Sequence, residues 1–361
     1  MPVTDPLLPV LDLTQSPVDL TVELCDLPSV SGDERVIADA IEASLRAYPH
    51  LTVDRDGDAI VARTSLGRDR RVVIAGHIDT VPVNGNLPVR RVGDELVGRG
   101  TVDMKAGVAV ALVLAADLSA PPVDLTWIFY DHEEVAAELN GLGRLARTRP
   151  ELLAGDFAIL GEPTSATVEG GCNGTARVDI RLRGRRAHSA RSWMGHNAIH
   201  DAAEVLRILR DYRAAELEVD GLTYREGLNA VGISGGVAGN VIPDEAVVSV
   251  NYRFAPSRSA ADAIAHVREV FAGFDVEVTD LAEGARPGLD DPLAQDFVAA
   301  VGGVARPKYG WTDVARFSAL GIPAVNYGPG DPQLAHADDE RVHIDEILAC
   351  ERGLRAWLGT G

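Results

Sequence analysis

Residues 71–80 read R-V-V-I-A-G-H-I-D-T. The first half is an apolar run of strand character, and the stretch ends in two polar residues two positions apart, His77 and Asp79. A soluble core has little use for a His and an Asp at that place unless they do chemistry. They read as the first pieces of a metal site whose other ligands come from elsewhere in the chain.

Working outward, residues 1–16 read as a loose lead-in. Helical apolar spacing covers 18–27 and is broken by P-S-V-S-G-D-E at 28–34, where Ser31 and Glu34 have the spacing of a capping box. The helix expected next carries Val36, Ile37, Ala40, Ile41 and Leu45 on one face. Strands are expected at 51–53, 59–63, 71–75, 125–130 and 157–160, and helices near 105–118 and 142–149. Strands alternating with helices define an α/β protein with parallel pairs in its sheet. At 170–174 the texture changes. T-A-R-V-D-I-R-L-R alternates polar and apolar residues, the period-2 mark of a half-exposed sheet. A helix near 197–212, strands near 228–234 and 246–254, a helix near 259–272 and a strand near 275–279 give the order β-α-β-β-α-β, a ferredoxin-like unit. The chain therefore divides into a larger domain, 1–171 with 284–361, and an inserted one, 172–283. The larger domain closes with a helix at 292–301, a strand at 324–327 and a helix at 344–358.

The formal net charge of −20 disfavours binding to nucleic acid, whose phosphates it would repel, and to an anionic membrane surface. The three cysteines, Cys25, Cys172 and Cys350, are widely spaced and form neither a disulfide framework nor a Cys-x-x-Cys metal motif. They suit a reducing cytoplasm. No signal peptide is expected in M-P-V-T-D-P-L-L, and no apolar run is long enough for a membrane helix.

Four apolar strands of the larger domain end in ionisable residues. The first leads to His77 and Asp79, the second to Asp131, His132, Glu133 and Glu134, the third to Glu162, and the last, through a Gly/Pro loop, to His336. Ligands of open α/β sheets collect at the carboxyl ends of strands, so these groups are expected to meet. Asp103, in G-R-G-T-V-D-M-K-A-G just before a helix, can reach the same rim. Two His and several carboxylates around one point suit zinc or a similar divalent ion. Five ligands with one shared suggest two ions, and the shared one must be a carboxylate. Such a site polarises a carbonyl and acidifies water, while Glu133 or Glu134, the one not spent on metal, can move the proton. Asp79 can accept the His77 ring N–H. Taken singly, each residue has a plainer reading: a structural His, an N-cap Asp103, a solvated Glu133-Glu134 helix start.

Together, G-H-I-D-T-V-P, G-R-G-T-V-D-M-K-A-G, D-H-E-E, L-G-E-P-T and the late His336 resemble the co-catalytic dizinc amidohydrolases and exopeptidases. That group includes desuccinylases, acetylornithine deacetylases, aminoacylases and bacterial carboxypeptidases. The resemblance spans nearly the whole chain. It implies a zinc-exopeptidase-like catalytic domain with a mixed, mostly parallel sheet, and gives the inserted unit the role of lid and dimerisation domain. It implies that His77, Asp103 and Glu162 hold one Zn2+, and Asp103, Glu134 and His336 the other, with Co2+ able to substitute. Glu133 becomes the general base and acid, Asp79 the orienting partner of His77, and Asp103–Met104 a cis peptide. In R-A-H-S-A, His188 matches the residue that reaches the partner subunit's site of a homodimer and stabilises the oxyanion. Asn240 in G-N-V-I-P, with Arg253, matches the contacts to the acyl or carboxylate end of the substrate, although Arg253 on a strand could equally pair with an acid. Within the group, Y-G-W-T-D-V-A-R-F-S-A-L-G-I-P and N-Y-G-P-G-D-P-Q-L-A-H look most like the actinobacterial desuccinylases. The Asp of W-T-D-V stands one place earlier than in other desuccinylases. Arg316 keeps its place as a substrate contact, and the departure leaves the roles of Thr312 and Asp313 open. The implied reaction is hydrolysis of N-succinyl-L,L-2,6-diaminopimelate by a cytoplasmic enzyme of lysine synthesis. The alternatives are another N-acyl group on the same machinery, a metallo-exopeptidase, or a non-catalytic dimerising relative.

Overall fold

The computed structural model describes residues 10–359, so the first nine residues of the expected lead-in lie outside the described part. The chain forms two compact units. One comprises the residues up to Gly170, Pro287–Arg306 and everything from Thr312; the other is Gly171–Arg286 with Pro307–Trp311.

The first unit is built on an eight-stranded sheet in the order Thr52–Asp56, Ala59–Arg63, Asp124–Tyr130, Arg71–His77, Phe157–Leu160, Ala324–Asn326, Val168–Gly170, Ala305–Pro307. Its four middle strands are mutually parallel. His77 stands opposite Tyr130, Ala75 opposite Leu160, and Asn326 opposite Leu160. The strands therefore stop along one edge, and the loops that follow them carry the ionisable residues. Asp124–Tyr130 and Phe157–Leu160 are buried throughout, as continuous apolar runs in a covered parallel sheet should be. Full burial of side chains such as Phe129 and Phe157 is worth roughly 1.5–3 kcal/mol each.

The helix Lys105–Asp117 lies against Arg71–His77 and Asp124–Tyr130. All its residues but the last are buried, so its sequence is apolar all round rather than amphipathic. It comes close to the sheet because Gly107 has no side chain: a Cβ there would lie 2.2 Å from the carbonyl oxygen of Gly161. The peptides Leu87–Pro88 and Asp103–Met104 are cis, the second as the resemblance implies.

Three local expectations are corrected. Leu11 and Leu13 are buried in the core, and the Leu11 amide donates to Ser44 Oγ at 2.9 Å, so this part of the lead-in is packed rather than loose. Ser31 and Glu34 form no capping box. The helix Arg35–Leu45 has no side-chain cap, Ser31 Oγ donates to Asp79, and Glu34 accepts from the amides of Gly32 and His132. A distant acceptor, Asp79, takes the Ser31 hydroxyl, and amide donors, one of them the distant His132, take the Glu34 carboxylate, so neither is left for the helix end. Val36 faces outward, and Ala38 takes its place in the buried stripe.

The second unit has a four-stranded antiparallel sheet, Gly227–Gly235, Glu245–Phe254, Gly174–Arg183, Asp275–Ala282, with the helices Ala198–Asp211 and Ala260–Val270. That is the ferredoxin-like arrangement. Glu245–Phe254 buries every second residue, and Val248, Val250 and Tyr252 join Val178, Ile180, Val205 and Val267 in a separate core. Ser259 and Asp262 make a complete capping box for the second helix. An additional hairpin, Glu216–Val219 with Leu222–Arg225, turns on Asp220 and Gly221, both at positive φ. Asp-Gly is the usual dipeptide for that two-residue turn. The limits of this unit differ from the sequence reading. Cys172 and Ala285 exchange amide hydrogen bonds, carrying the unit to Arg286. Lys308 O accepts from the Asn173 amide, and Trp311 Nε1 donates to Glu283 O, which ties residues 307–311 to it.

Replacing Gly107 with Ala drives a methyl into backbone that cannot rotate away. The expected loss is ~1–3 kcal/mol in urea unfolding, whereas Gly239→Ala, with open space around it, should change stability little. Equal stability of the two variants would contradict this packing.

Candidate metal centre

The parallel strands and the turn before the buried helix bring His77, Asp103, Glu133, Glu134, Glu162 and His336 together. Three overlapping groups have ligand atoms within 4.8 Å of one another: His77, Asp103 and Glu162; His77, Glu133 and Glu134; Asp103, Glu134 and His336. Asp103 stands between the histidines. Its Oδ1 is 3.0 Å from His77 Nε2, and its Oδ2 is 3.3 Å from His336 Nε2, which also lies 2.9 Å from Glu134 Oε1. One carboxylate thus turns one oxygen to each imidazole.

The His77 ring is fixed from behind. Its Nδ1 lies 3.1 Å from the main-chain oxygen of Asp79 and 3.4 Å from Asp79 Oδ1. A carbonyl oxygen only accepts, so Nδ1 carries a hydrogen, and Nε2 is the atom presented to Asp103. Asp79 does more than orient this ring. Its Oδ1 accepts from the Glu133 amide, and its Oδ2 from the Glu134 amide, both at 3.1 Å, and from Ser31 Oγ at 2.7 Å. Burial works to raise the Asp79 pKa, but His77, Ser31 and the Glu133 amide together bring it down to about 2. One buried carboxylate therefore sets the positions of three candidate site residues.

The other charges follow the same logic. Burial disfavours ionised Asp103, yet the hydrogen bonds with His336 and His77 hold it well below the usual carboxylate range. Glu133 is driven the other way. Burial, with Asp313, Glu162 and Glu134 nearby, pushes its carboxyl well above the ordinary range despite His77. This concentration of carboxylates with two imidazole nitrogens is an N/O donor set of the kind zinc and similar divalent ions take. The residues fit a pair of metal ions.

The segment carrying Glu133 and Glu134 is clasped at its base. The Gly141 amide donates to Asp131 O at 2.8 Å, Arg144 pairs with the Asp131 carboxylate at 2.8 Å, and Asn140 Nδ2 donates to Asp313 Oδ2 at 3.0 Å. His132 and His336 both have left-handed backbone, φ 59° and 64°, unusual for side chains of their size. His132 turns its Nδ1 to Asp131 Oδ2 at 2.7 Å.

Arg316 lies outside the cluster and pairs with buried Asp313. Thr312 is buried and donates to Asn326 Oδ1 at 2.9 Å. Asp313 and Thr312 are thus engaged by the protein itself. In the second unit, His188 and Asn240 are neighbours: His188 pairs with Val241 across a two-residue ladder, and the Ser189 amide donates to Asn240 O at 2.9 Å. His188 Nδ1 accepts from the Ala190 amide at 3.1 Å, which leaves Nε2 as the N–H. Arg253 is half-buried beside Arg177 and makes no ion pair among the described residues. Arg144, Arg99 and Glu340 also support the site, and no role is expected of them from the sequence; Ser31 and Glu34 act here rather than at a helix cap, and Asp131 belongs to the strand-end group. Asp131 lies inside D-H-E-E and Arg99 inside G-R-G-T-V-D-M-K-A-G, whereas Arg144 and Glu340 stand in no motif.

Residues 73–359 match the sequence profile of peptidase family M20/M25/M40. The chain belongs to this family of metal-dependent hydrolases. It is 57% identical over 352 residues to a Mycobacterium tuberculosis protein named "Putative succinyl-diaminopimelate desuccinylase DapE", covering 97% of this chain and 99% of that one. It is 48% identical over 361 residues to the succinyl-diaminopimelate desuccinylase of Corynebacterium glutamicum, covering 97% and 98%. Among solved structures, a Staphylococcus aureus tripeptidase superposes with a TM-score of 0.78 at 21% identity, over 96% of this chain and 97% of the other. A dinuclear metal-binding M20 peptidase from Bacillus subtilis gives 0.68 at 17%, over 96% and 98%. These two share the fold. No helix among the described residues is long and apolar enough to cross a membrane.

Asp79→Ala removes the acceptor shared by Ser31 and the two Glu amides. Divalent-metal affinity, read by competition with a chromophoric chelator, is expected to fall ~10–100-fold, the usual cost of losing a ligand's supporting hydrogen bonds. Ser31→Ala, which deletes one neutral donor, should cost less. Unchanged affinity in the Asp79 variant would refute the shared-acceptor role.

Proposed function

We propose that this chain hydrolyses the amide of N-succinyl-L,L-2,6-diaminopimelate to succinate and L,L-diaminopimelate, in the cytoplasm and for lysine synthesis. The observation that carries the reading is Asp103 with one oxygen toward each of two histidines and Glu133 beside them. The substrate comes from the names of the relatives at 57% and 48% identity. In this reading His77, Asp103 and Glu162 hold one Zn2+, and Asp103, Glu134 and His336 the other, with Co2+ able to substitute. Bound there, the ions supply Lewis acidity for the scissile carbonyl and for water.

The chain's own residues do the rest. Glu133 lies in a pocket that raises its proton affinity. It takes the proton of the attacking water and hands it to the departing amine. Asp79 keeps Glu133 and Glu134 at their stations through their amides. His188, whose Nε2 is the ring N–H, donates to the oxygen that gains negative charge; it is delivered from the partner subunit of a homodimer. The exposed edge strand Gly227–Gly235, with Val231 and Ile233 bare, supports dimerisation through the second unit. Arg253 is a half-buried guanidinium with no acid of its own among the described residues, and such a fork suits a substrate carboxylate; a succinyl group ends in one. Asn240 contacts the same end. Arg316, which pairs with Asp313, is a further substrate contact in this reading.

Glu133→Gln should retain both metals and lose at least ~10²-fold in kcat, the scale of a general base. Near-normal turnover would sink the assignment. Chelation should abolish the wild-type activity, and Zn2+ or Co2+ should restore it. In direct comparison, kcat/KM for N-succinyl-L,L-diaminopimelate should exceed that for N-acetylornithine; the opposite ranking would move the specificity to another acyl group.

A further inference from the structure

A second buried pair lies behind the cluster. Arg99 and Glu340 are 4% and 1% exposed, and Arg99 Nη1 meets Glu340 Oε2 at 2.7 Å. The other oxygen, Oε1, accepts from the amides of Val102 at 2.9 Å and Asp103 at 3.2 Å. Arg99 Nη2 reaches the main-chain oxygen of His336 at 3.4 Å. The Gly98 amide donates to Glu340 O at 2.9 Å. The turn carrying Asp103 and the loop carrying His336 are more than two hundred residues apart in sequence, and this pair joins them.

A buried ion pair returns little net stability, because desolvating two charges costs about what their attraction gives. Its effect here is geometric. His336 has left-handed backbone and is half exposed, and its loop has no strand of its own to set it. His77, by contrast, ends a parallel strand and is backed by Asp79. We propose that Glu340 and Arg99 are positioning residues for the metal centre: Glu340 aims the Asp103 carboxylate through its amide, and Arg99 locks the His336 loop to that turn. The inference rests on the metal reading above. It predicts asymmetry, since the ion held by Asp103, Glu134 and His336 depends on both ends of the strut, and the ion held by His77, Asp103 and Glu162 on one.

The test is Co2+ titration of the metal-stripped full-length protein, followed by calorimetry and visible absorption. The wild-type protein should show two binding events; fewer than two would overturn the two-metal reading itself. Glu340→Gln keeps the shape and removes the charge. One of its two Co2+ events should be displaced ~10–100-fold, the range for lost supporting contacts to metal ligands, with an altered absorption band for that ion and the other event little changed. Two events with wild-type affinities and spectra, even alongside a lowered melting temperature, would overturn the proposal, since a purely structural pair affects only the latter. If circular dichroism shows Glu340→Gln unfolded, Arg99→Lys carries the same test. It keeps the positive charge but cannot span Glu340 and the His336 carbonyl together, and wild-type binding in that variant would likewise refute the strut.

Discussion

One partly buried carboxylate facing two imidazoles is the constraint on which the rest of the first unit depends. Asp103 offers a different oxygen to His77 and to His336, at 3.0 and 3.3 Å. With Glu133, Glu134 and Glu162 gathered beside Asp103, like charge accumulates there, which is unfavourable unless cationic charge joins it. The chemistry follows from the same fact, because a carboxylate pushed to hold its proton beside such a centre is suited to proton transfer.

The fold serves this constraint by bringing distant residues to one edge. Parallel register aligns the ends of four strands, and close approach of the helix Lys105–Asp117 at Gly107 sets the turn that carries Asp103. Behind the ligands is a layer of fixed acceptors. Asp79 gathers the Ser31 hydroxyl and the Glu133 and Glu134 amides, and Asp131 anchors the base of the same loop to Arg144. Both acceptors are buried, and the donors gathered by Asp79 come from some fifty residues away along the chain, so the site is held by the tertiary structure rather than by any single loop.

What was readable in the sequence follows from range. Buried strands such as Phe157–Leu160 announce themselves by local composition, and the carboxyl-end rule then converts strand ends into a common rim. The ferredoxin-like unit was legible because its strands are half-exposed and alternate. The hairpin at Asp220-Gly221 is hard to read from the sequence although its turn dipeptide is a local signal, because its strands are only four residues each. Ser31 and Glu34 misled for the opposite reason. A local capping pattern was present, but acceptors and donors 48 and 98 residues away claimed both side chains. Glu340 stands in no motif, and Arg99, though inside G-R-G-T-V-D-M-K-A-G, shows no role there, since their pairing exists only once the chain has folded. Asp313 of W-T-D-V, which departs from the pattern of other desuccinylases, is buried against Asn140 and Arg316 inside the protein.

The central claim is that Asp103 bridges two metal ions. Anomalous diffraction from crystals of the zinc-loaded protein, recorded on both sides of the zinc edge, tests it most directly. The account predicts two peaks ~3.5–4 Å apart, the usual spacing of paired catalytic ions, each bonded to a different oxygen of Asp103, with His77 and Glu162 on one and Glu134 and His336 on the other. A single peak, or two peaks that do not share Asp103, would contradict it.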